Sequence, residues 1–275
     1  MKTYYISKDT RLSGQGDVAG YYHLLIDFII PLYVHSDGDS ITLHVNSGRL
    51  NPEANRSSRA GVMSKERIQY IIKSVFGDRI TIKPNKHDKS SGEIWLDVNS
   101  NINYPLHDIL KDNDQWVKKY KITNPLVFRG IWGDYDKSHY TRFRNDMYDR
   151  YKITTTKQSY VTIIKRGVDA RPRSNKEMLV NSPKLIQDRY ETNLPVRIID
   201  FSKLSFEETI RICAETKILI GQHGAGISNC VFMRPGSKII EYEPITLPCY
   251  YILAKACGLQ YEHSNLRDEI INIHE

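Results

Sequence analysis

Three groups of residues are spaced to do chemistry, and the densest occupies residues 221–243, GQHGAGISNCVFMRPGSKIIEYE. Gly221, Gly224 and Gly226 place three glycines within six residues, with His223 among them. The apolar run Ile218-Leu219-Ile220 before them predicts a buried strand. Gly226–Met233 has the apolar spacing of a helix, stopped by Pro235-Gly236. A strand, a glycine loop and a helix in that order present unpaired backbone N–H groups at a helix N-terminus. Those donors and the helix dipole attract phosphate, and glycine lets the main chain come close to it. Lys238–Glu243 reads as the next strand and carries Glu241. A histidine, an open N-terminus and a carboxylate at two strand ends suit a nucleotide, with pyrophosphate on the loop and ribose hydroxyls on the acid. The spacing is neither the Walker pattern nor the dinucleotide fingerprint, which disfavours an ATPase or a dehydrogenase.

The second group is Arg166–Asn175, RGVDARPRSN, directly after a predicted strand at Tyr160–Lys165. Open α/β sheets bind ligands at such strand ends. Arg166, Arg171 and Arg173 can each pair phosphate oxygens bidentately, although a solvated basic loop has the same composition. The third group is GYYHLLIDF at residues 20–28. His23 and Asp27 are four apart, so on a helix they share a face. A carboxylate that orients an imidazole makes a general base near neutral pH; the plainer alternative is a self-satisfied polar pair on a core helix.

The glycine stretch resembles the glycosyltransferase 61 family. The resemblance rests on His223-Gly224-Ala225-Gly226, Asn229, Phe232-Met233-Arg234-Pro235-Gly236-Ser237 and Glu241. It extends to Arg166, to Arg171 or Arg173, and to Asn175, and more loosely to His23, Asp27 and Pro31, where Leu24 stands in place of an aromatic. The resemblance implies an inverting glycosyltransferase of GT-B type, an α/β protein with two Rossmann-like domains facing a central cleft. It implies a UDP-sugar donor, with xylose as the first guess, and a hydroxyl of an oligosaccharide or glycoprotein as acceptor. Arg166 and Arg171, with Arg173 in close competition, would hold the diphosphate beside His223, Gly224, Ala225 and Gly226. Asn175, Asn229 and Glu241 would complete the donor site. The base would be Asp27 or His23, with Asp17 in reserve. Arginines and a helix N-terminus stabilise a departing diphosphate without a cation, so no cofactor and no metal is expected. The acidic triplets Asp37-Gly-Asp39, Asp112-Asn-Asp114 and Asp134-Tyr-Asp136 are the competing sign of a metal site.

These groups need a scaffold. Strands are expected at Tyr4–Ser7, Ile41–Val45, Arg79–Lys83, Ile94–Val98, Leu126–Trp132, Tyr160–Lys165 and Val196–Asp200. Helices are expected at Val18–Leu32, ending near Pro31, and from a Ser64 cap to Phe76. Others are expected at Asp114–Lys121, Ser174–Val180 and Ser205–Glu215, where Ser205 and Glu208 match a capping box. Tyr135–Lys157 should cross between two α/β domains, residues 1–140 on the acceptor side and 141–275 on the nucleotide-sugar side. A net charge of +7 suits either nucleic acid or an anionic sugar nucleotide. The glycine loop favours the latter, so no nucleic-acid partner is expected. A basic nucleic-acid-binding protein and an inactive sugar- or nucleotide-binding module are the alternatives. Four cysteines without metal-type spacing read as small core residues. No signal-like segment or bilayer-length apolar run is evident, so the expectation is a cytoplasmic protein or a soluble excised domain.

Overall fold

A computed structural model describes residues 2–6, 20–45, 63–84, 94–96, 137–165, 192–242 and 249–264. The protein is mixed α/β and divides into two compact units, Met1–Tyr135 and Asp136–Glu275, each with a parallel sheet.

The first unit holds β1 (Lys2–Ile6), β2 (Ile41–Val45), β3 (Ile80–Pro84) and β4 (Ile94–Leu96), all parallel in the order β3-β2-β1-β4. Parallel neighbours need crossovers, and helices supply them. Between β1 and β2 runs a helical stretch wound as a π-helix over His23–Ile29 and as α1 over Ile30–Ser36. Leu24, Leu25, Ile26, Phe28, Ile29, Ile30 and Leu32 are all buried, so this stretch belongs to the core. The expected stop at Pro31 is corrected. Pro31 sits in the first turn of α1, where its missing N–H and fixed φ are tolerated. The helix instead ends at Asp37, whose φ of 48° is left-handed. α2 (Lys65–Phe76) forms as expected, with Ser64 Oγ accepting from the Arg67 N–H at 3.2 Å. Ile68, Ile71, Ile72, Val75 and Phe76 recur at helical spacing and are buried, and Phe76 meets Tyr33 of α1 with ring centroids 6.0 Å apart.

The second unit holds β5 (Tyr160–Ile164), β6 (Val196–Ile199), β7 (Thr216–Gln222), β8 (Lys238–Tyr242) and β9 (Gln260–Ser264). All are parallel, in the order β6-β5-β7-β8-β9. α3 (Lys137–Arg150) falls inside this unit and ends well before the expected Lys157, with Lys152 left-handed at φ 51°. α4 (Phe206–Glu215) carries the expected capping box. Ser205 Oγ accepts from the Glu208 N–H at 3.1 Å, and Glu208 Oε2 accepts from the Ser205 N–H at 2.7 Å. Its apolar face, Phe206, Ile210, Cys213 and Ala214, is buried. α5 (Cys249–Ala256) precedes β9. All four cysteines are buried free thiols, and burial pushes Cys213 and Cys230 well above their ordinary range. The expected elements at Asp114–Lys121, Leu126–Trp132 and Ser174–Val180 lie outside the described residues.

The order of strands in the second sheet decides where a ligand could sit. From β5 the chain goes one way to β6, then crosses back past β5 to β7 and on to β8 and β9. The carboxyl ends of β5 and β7 therefore flank a topological switch point, the crevice where open α/β sheets bind ligands.

Arg197 on β6 fastens this crossover. Its Nε donates to Thr162 Oγ1 at 3.0 Å, Nη1 to Glu215 at 2.9 Å and Nη2 to the Ile212 carbonyl at 2.6 Å. The guanidinium also lies 4.1 Å from the Tyr160 ring centroid. One side chain thus joins β5, β6 and the end of α4. Arg197→Met keeps the stem and deletes the donors, and is expected to lower unfolding free energy by about 2 kcal/mol, the order of a few partly buried charged hydrogen bonds. Urea denaturation checks this; an unchanged midpoint would mean the network adds nothing.

Candidate functional site

β7 runs to Gln222, and the chain then leaves the sheet through His223-Gly224-Ala225-Gly226. Only residues 223–237 connect β7 to parallel β8, close to the shortest crossover possible. Most of it is a 3₁₀ helix over Ala225–Phe232, not the α-helix that the spacing suggests. A 3₁₀ helix rises about 2.0 Å per residue against about 1.5 Å in an α-helix, so eight residues reach back roughly 16 Å instead of 12 Å. That extra reach suits a return path along a strand in so few residues. Ile227 to Phe232 are all buried, so packing on every side holds this tighter winding.

The glycines have a packing role where the sequence suggests only closeness to a ligand. A Cβ on Gly221 would lie 2.8 Å from Ile164 Cδ1 and 3.1 Å from Ile227 Cγ1. One on Gly226 would lie 3.0 Å from Ile164 Cγ2. The loop thus presses directly on the last residue of β5, which closes the two strand ends on each other. Gly224, at φ 164°, is ordinary extended backbone.

Behind the loop lies a polar chain. Glu241 on β8 is fully buried. Its Oε1 is 2.5 Å from His223 Nδ1, and its Oε2 accepts from the Tyr261 hydroxyl at 2.5 Å. The His223 N–H donates to the Tyr242 carbonyl at 3.2 Å, which ties the loop to β8. The imidazole meets the Tyr250 ring of α5 edge-on, with centroids 5.3 Å apart. Burial pushes the Tyr250 phenol well above its ordinary range, so it stays neutral. The His223 side chain is 24% exposed, and Gly224, Ala225 and Gly226 are also part-exposed. Among the described residues, nothing pairs with His223 Nε2.

The far end of the 3₁₀ helix is anchored from α3. The Tyr148 hydroxyl donates to the Phe232 carbonyl at 2.5 Å, and Arg144 Nη1 to the Met233 carbonyl at 3.3 Å. A cation at a helix carboxyl end opposes the dipole's negative pole. Burial pulls the Arg144 guanidinium below its ordinary value and raises the Tyr148 phenol. Arg234 stacks 4.9 Å above the Tyr148 ring centroid and donates to the Thr155 carbonyl. Phe232 packs against Phe143 and Phe206 at 5.9 and 5.4 Å.

His223, Gly224, Ala225 and Gly226 therefore come together at the carboxyl edge with access to solvent. Two expected ligand contacts are corrected. Glu241 has no surface for a ribose, because burying a carboxylate demands donors and both its oxygens have found them inside the protein. Asn229 is buried and donates to the Gly226 carbonyl at 3.0 Å, so it shapes the loop from within. His23 and Asp27 stand one turn apart on the π-helical stretch of the first unit. Arg166, Arg171, Arg173, Asn175 and Asp17 lie outside the described residues. So do Asp112-Asn-Asp114 and Asp134-Tyr-Asp136, whereas Asp37 and Asp39 are on an exposed turn. Tyr261, Tyr250, Tyr148 and Arg144 escape a reading of the sequence. Their partners are distant along the chain, and only the parallel pairing of Ile239 with Tyr261 puts that tyrosine on the face of Glu241.

A family model described as Glycosyltransferase 61 matches residues 21–240. The chain is 34% identical over 104 residues to the EGF domain-specific O-linked N-acetylglucosamine transferase of Gallus gallus, covering 37% of this chain and 18% of that protein. The Mus musculus protein of the same name is 33% identical over 104 residues, 37% of this chain and 19% of its own length. That of Drosophila melanogaster is 30% identical over 109 residues, 39% and 20%. The matched segment is thus about a fifth of these relatives. Among the described residues, no helix is long and apolar enough to cross a membrane.

The packing of the two glycines on one isoleucine makes a discriminating prediction. Gly221→Ala and Gly226→Ala are each expected to destabilise by about 1–3 kcal/mol through overpacking. Ile164→Val removes Cδ1 and keeps Cγ2. It should therefore relieve much of the Gly221→Ala cost and little of the Gly226→Ala cost. Denaturation of the two double-mutant cycles reads this; equal relief in both would contradict the packing described.

Proposed function

The chain belongs to the glycosyltransferase 61 family, and we propose from this that it transfers a sugar from a UDP-sugar to a hydroxyl of a glycan or glycoprotein acceptor, with inversion. The observation that carries the reading is the part-exposed His223–Gly226 loop beside the β5–β7 switch point, with His223 held from behind by a buried carboxylate. A loop in that place offers backbone N–H groups and an imidazole to a diphosphate. Arg166, Arg171 and Arg173 follow β5 in the sequence, and we assign their guanidinium groups to the same phosphates, with Asn175 as a further donor-site residue.

In the reaction, the acceptor oxygen attacks the sugar C1 as the bond from C1 to the diphosphate oxygen breaks. The electron pair moves onto the leaving phosphate, and the acceptor proton goes to a base. Charge accumulates on the leaving group, so preorganised donors there are worth more in the transition state than in the ground state. His223 Nε2, the loop N–H groups and the arginines take that task, and departure needs no metal. Asp27 or His23 is assigned as the base, the first unit as the acceptor side, and GT-B as the fold type. The relatives' names point to N-acetylglucosamine as the first donor sugar to test, ahead of the xylose expected from sequence alone.

A thermal-shift series with UDP, UDP-N-acetylglucosamine and UDP-xylose, with and without EDTA, tests the reading. A ligand at a hundred times its Kd adds about 2.7 kcal/mol, which for a chain of this size is a rise in Tm of roughly 5–10 °C. The shift should survive EDTA and should largely vanish in His223→Ala. No shift with any uridine compound would overturn the proposal. Loss of binding at moderate salt together with affinity for nucleic acid would favour the basic-protein alternative, and binding without transfer or donor hydrolysis the inactive module.

A further inference from the structure

Glu241 is a costly residue to bury, and its surroundings indicate what it is for. It is fully inaccessible, yet its two oxygens each receive a short hydrogen bond from a different neighbour, His223 on one side and Tyr261 on the other. Register explains the geometry. Gly221, Glu241 and His263 are paired across β7, β8 and β9, and Ile239 is paired with Tyr261. Tyr261 and Glu241 therefore share one sheet face, two positions apart in register, and the loop after Gln222 folds back over that face. The polar chain runs from the inside of the sheet outward to a half-buried imidazole. Tyr250 bounds the ring on another side. Among the described residues, the imidazole's outer nitrogen has no protein partner.

We propose that Glu241 and Tyr261 are positioning residues for His223. Tyr261 donates its hydroxyl hydrogen to Oε2, which fixes the carboxylate. The carboxylate accepts the Nδ1 hydrogen through Oε1, which fixes both the rotation of the ring and its tautomer. Nε2 is then the atom presented to a ligand. A carboxylate takes only donors, so Nδ1 must carry a hydrogen whatever the state of Nε2. Such an outer partner orients a working imidazole by the same logic as in metal sites and catalytic triads. The inference rests on the reading of the loop as a diphosphate site, but its first readout does not depend on that reading.

That readout is the tautomer of His223 itself. Long-range ¹⁵N–¹H correlation spectra of the full chain with labelled histidine, assigned through His223→Gln, should show the hydrogen on Nδ1 in the wild type. The double variant Glu241→Leu/Tyr261→Phe removes the acceptor and leaves no orphaned hydroxyl, so the fold should persist. In it the tautomers should mix, with Nε2–H gaining. Glu241→Gln keeps an acceptor oxygen and should restore Nδ1–H. A diphosphate oxygen accepts only hydrogens, so the UDP-bound ring must carry hydrogens on both nitrogens, and the Glu241 carboxylate stabilises that charged ring. UDP affinity should therefore fall about tenfold in the double variant, the equivalent of about 1.4 kcal/mol for a lost charge-assisted hydrogen bond, and recover only in part in Glu241→Gln, which accepts the Nδ1 hydrogen without the charge. A wild-type hydrogen on Nε2 alone, or a double variant that is folded with an unchanged tautomer or unchanged UDP affinity, would overturn the inference. If the double variant does not fold, the wild-type tautomer and Tyr261→Phe, which should weaken UDP binding by roughly threefold or less, decide it. A wild type that shows Nδ1–H and no UDP binding would sink the donor-site reading while supporting the positioning role.

Discussion

A carboxylate placed where water cannot reach it constrains everything around it. Glu241 must receive two hydrogen bonds, since an unpaired buried charge would cost several kcal/mol. The donors come from the loop after β7 and from β9, on either side of β8. That requirement fixes β7, β8 and β9 as parallel neighbours in one register and requires the loop to turn back over a single face. A shift of one residue would carry Tyr261 to the opposite face and leave the acid unsatisfied. The same polar chain that would make a misregistered sheet unstable delivers an oriented imidazole to the carboxyl edge.

Two further anchors make the loop rigid rather than merely placed. At its start, Gly221 and Gly226 sit against Ile164 with no room for a side chain. At its end, Tyr148 and Arg144 reach from α3 to the carbonyls of Phe232 and Met233. Between them the 3₁₀ helix is buried from Ile227 to Phe232, and its one amide side chain bonds back to the loop. Preorganisation of this kind matters for a site whose task is electrostatic, because donors that must first rearrange return part of their advantage.

Local patterns are legible in the sequence and long-range ones are not. The capping box at Ser205 and Glu208, the apolar faces of α2 and α4, and the strand before the glycines follow from neighbouring residues alone. The glycine loop is visible in the right place and partly for a different reason, since Ile164 is 57 positions before Gly221 and its pressure on the loop cannot be read locally. Pro31 reads as a stop because a proline inside a helix usually is one. Here the π-wound turn ahead of it shifts the hydrogen-bonding pattern and puts the proline at the start of a new α-helix. Glu241 reads as a ligand because strand-end acids in nucleotide folds often are. Its satisfaction by Tyr261 depends on strand pairing, which the residue order does not display.

The glycosyltransferase 61 resemblance and the geometry bear on different parts of the problem. The resemblance groups His223, Asn229 and Glu241 as one motif. Geometry separates them. Of the three, only His223 has an accessible side chain; Asn229 and Glu241 act on it or on the loop from inside. A motif in a binding loop is therefore a mixture of residues that touch the ligand and residues that hold those in place. Apolar packing alone would leave the imidazole free to rotate, because van der Waals contact hardly distinguishes one ring nitrogen from the other. A hydrogen-bond acceptor does, and burying it keeps water from competing for the same hydrogen. A loop that presents one nitrogen to an anion thus calls for an acid behind the histidine as well as glycines beside it.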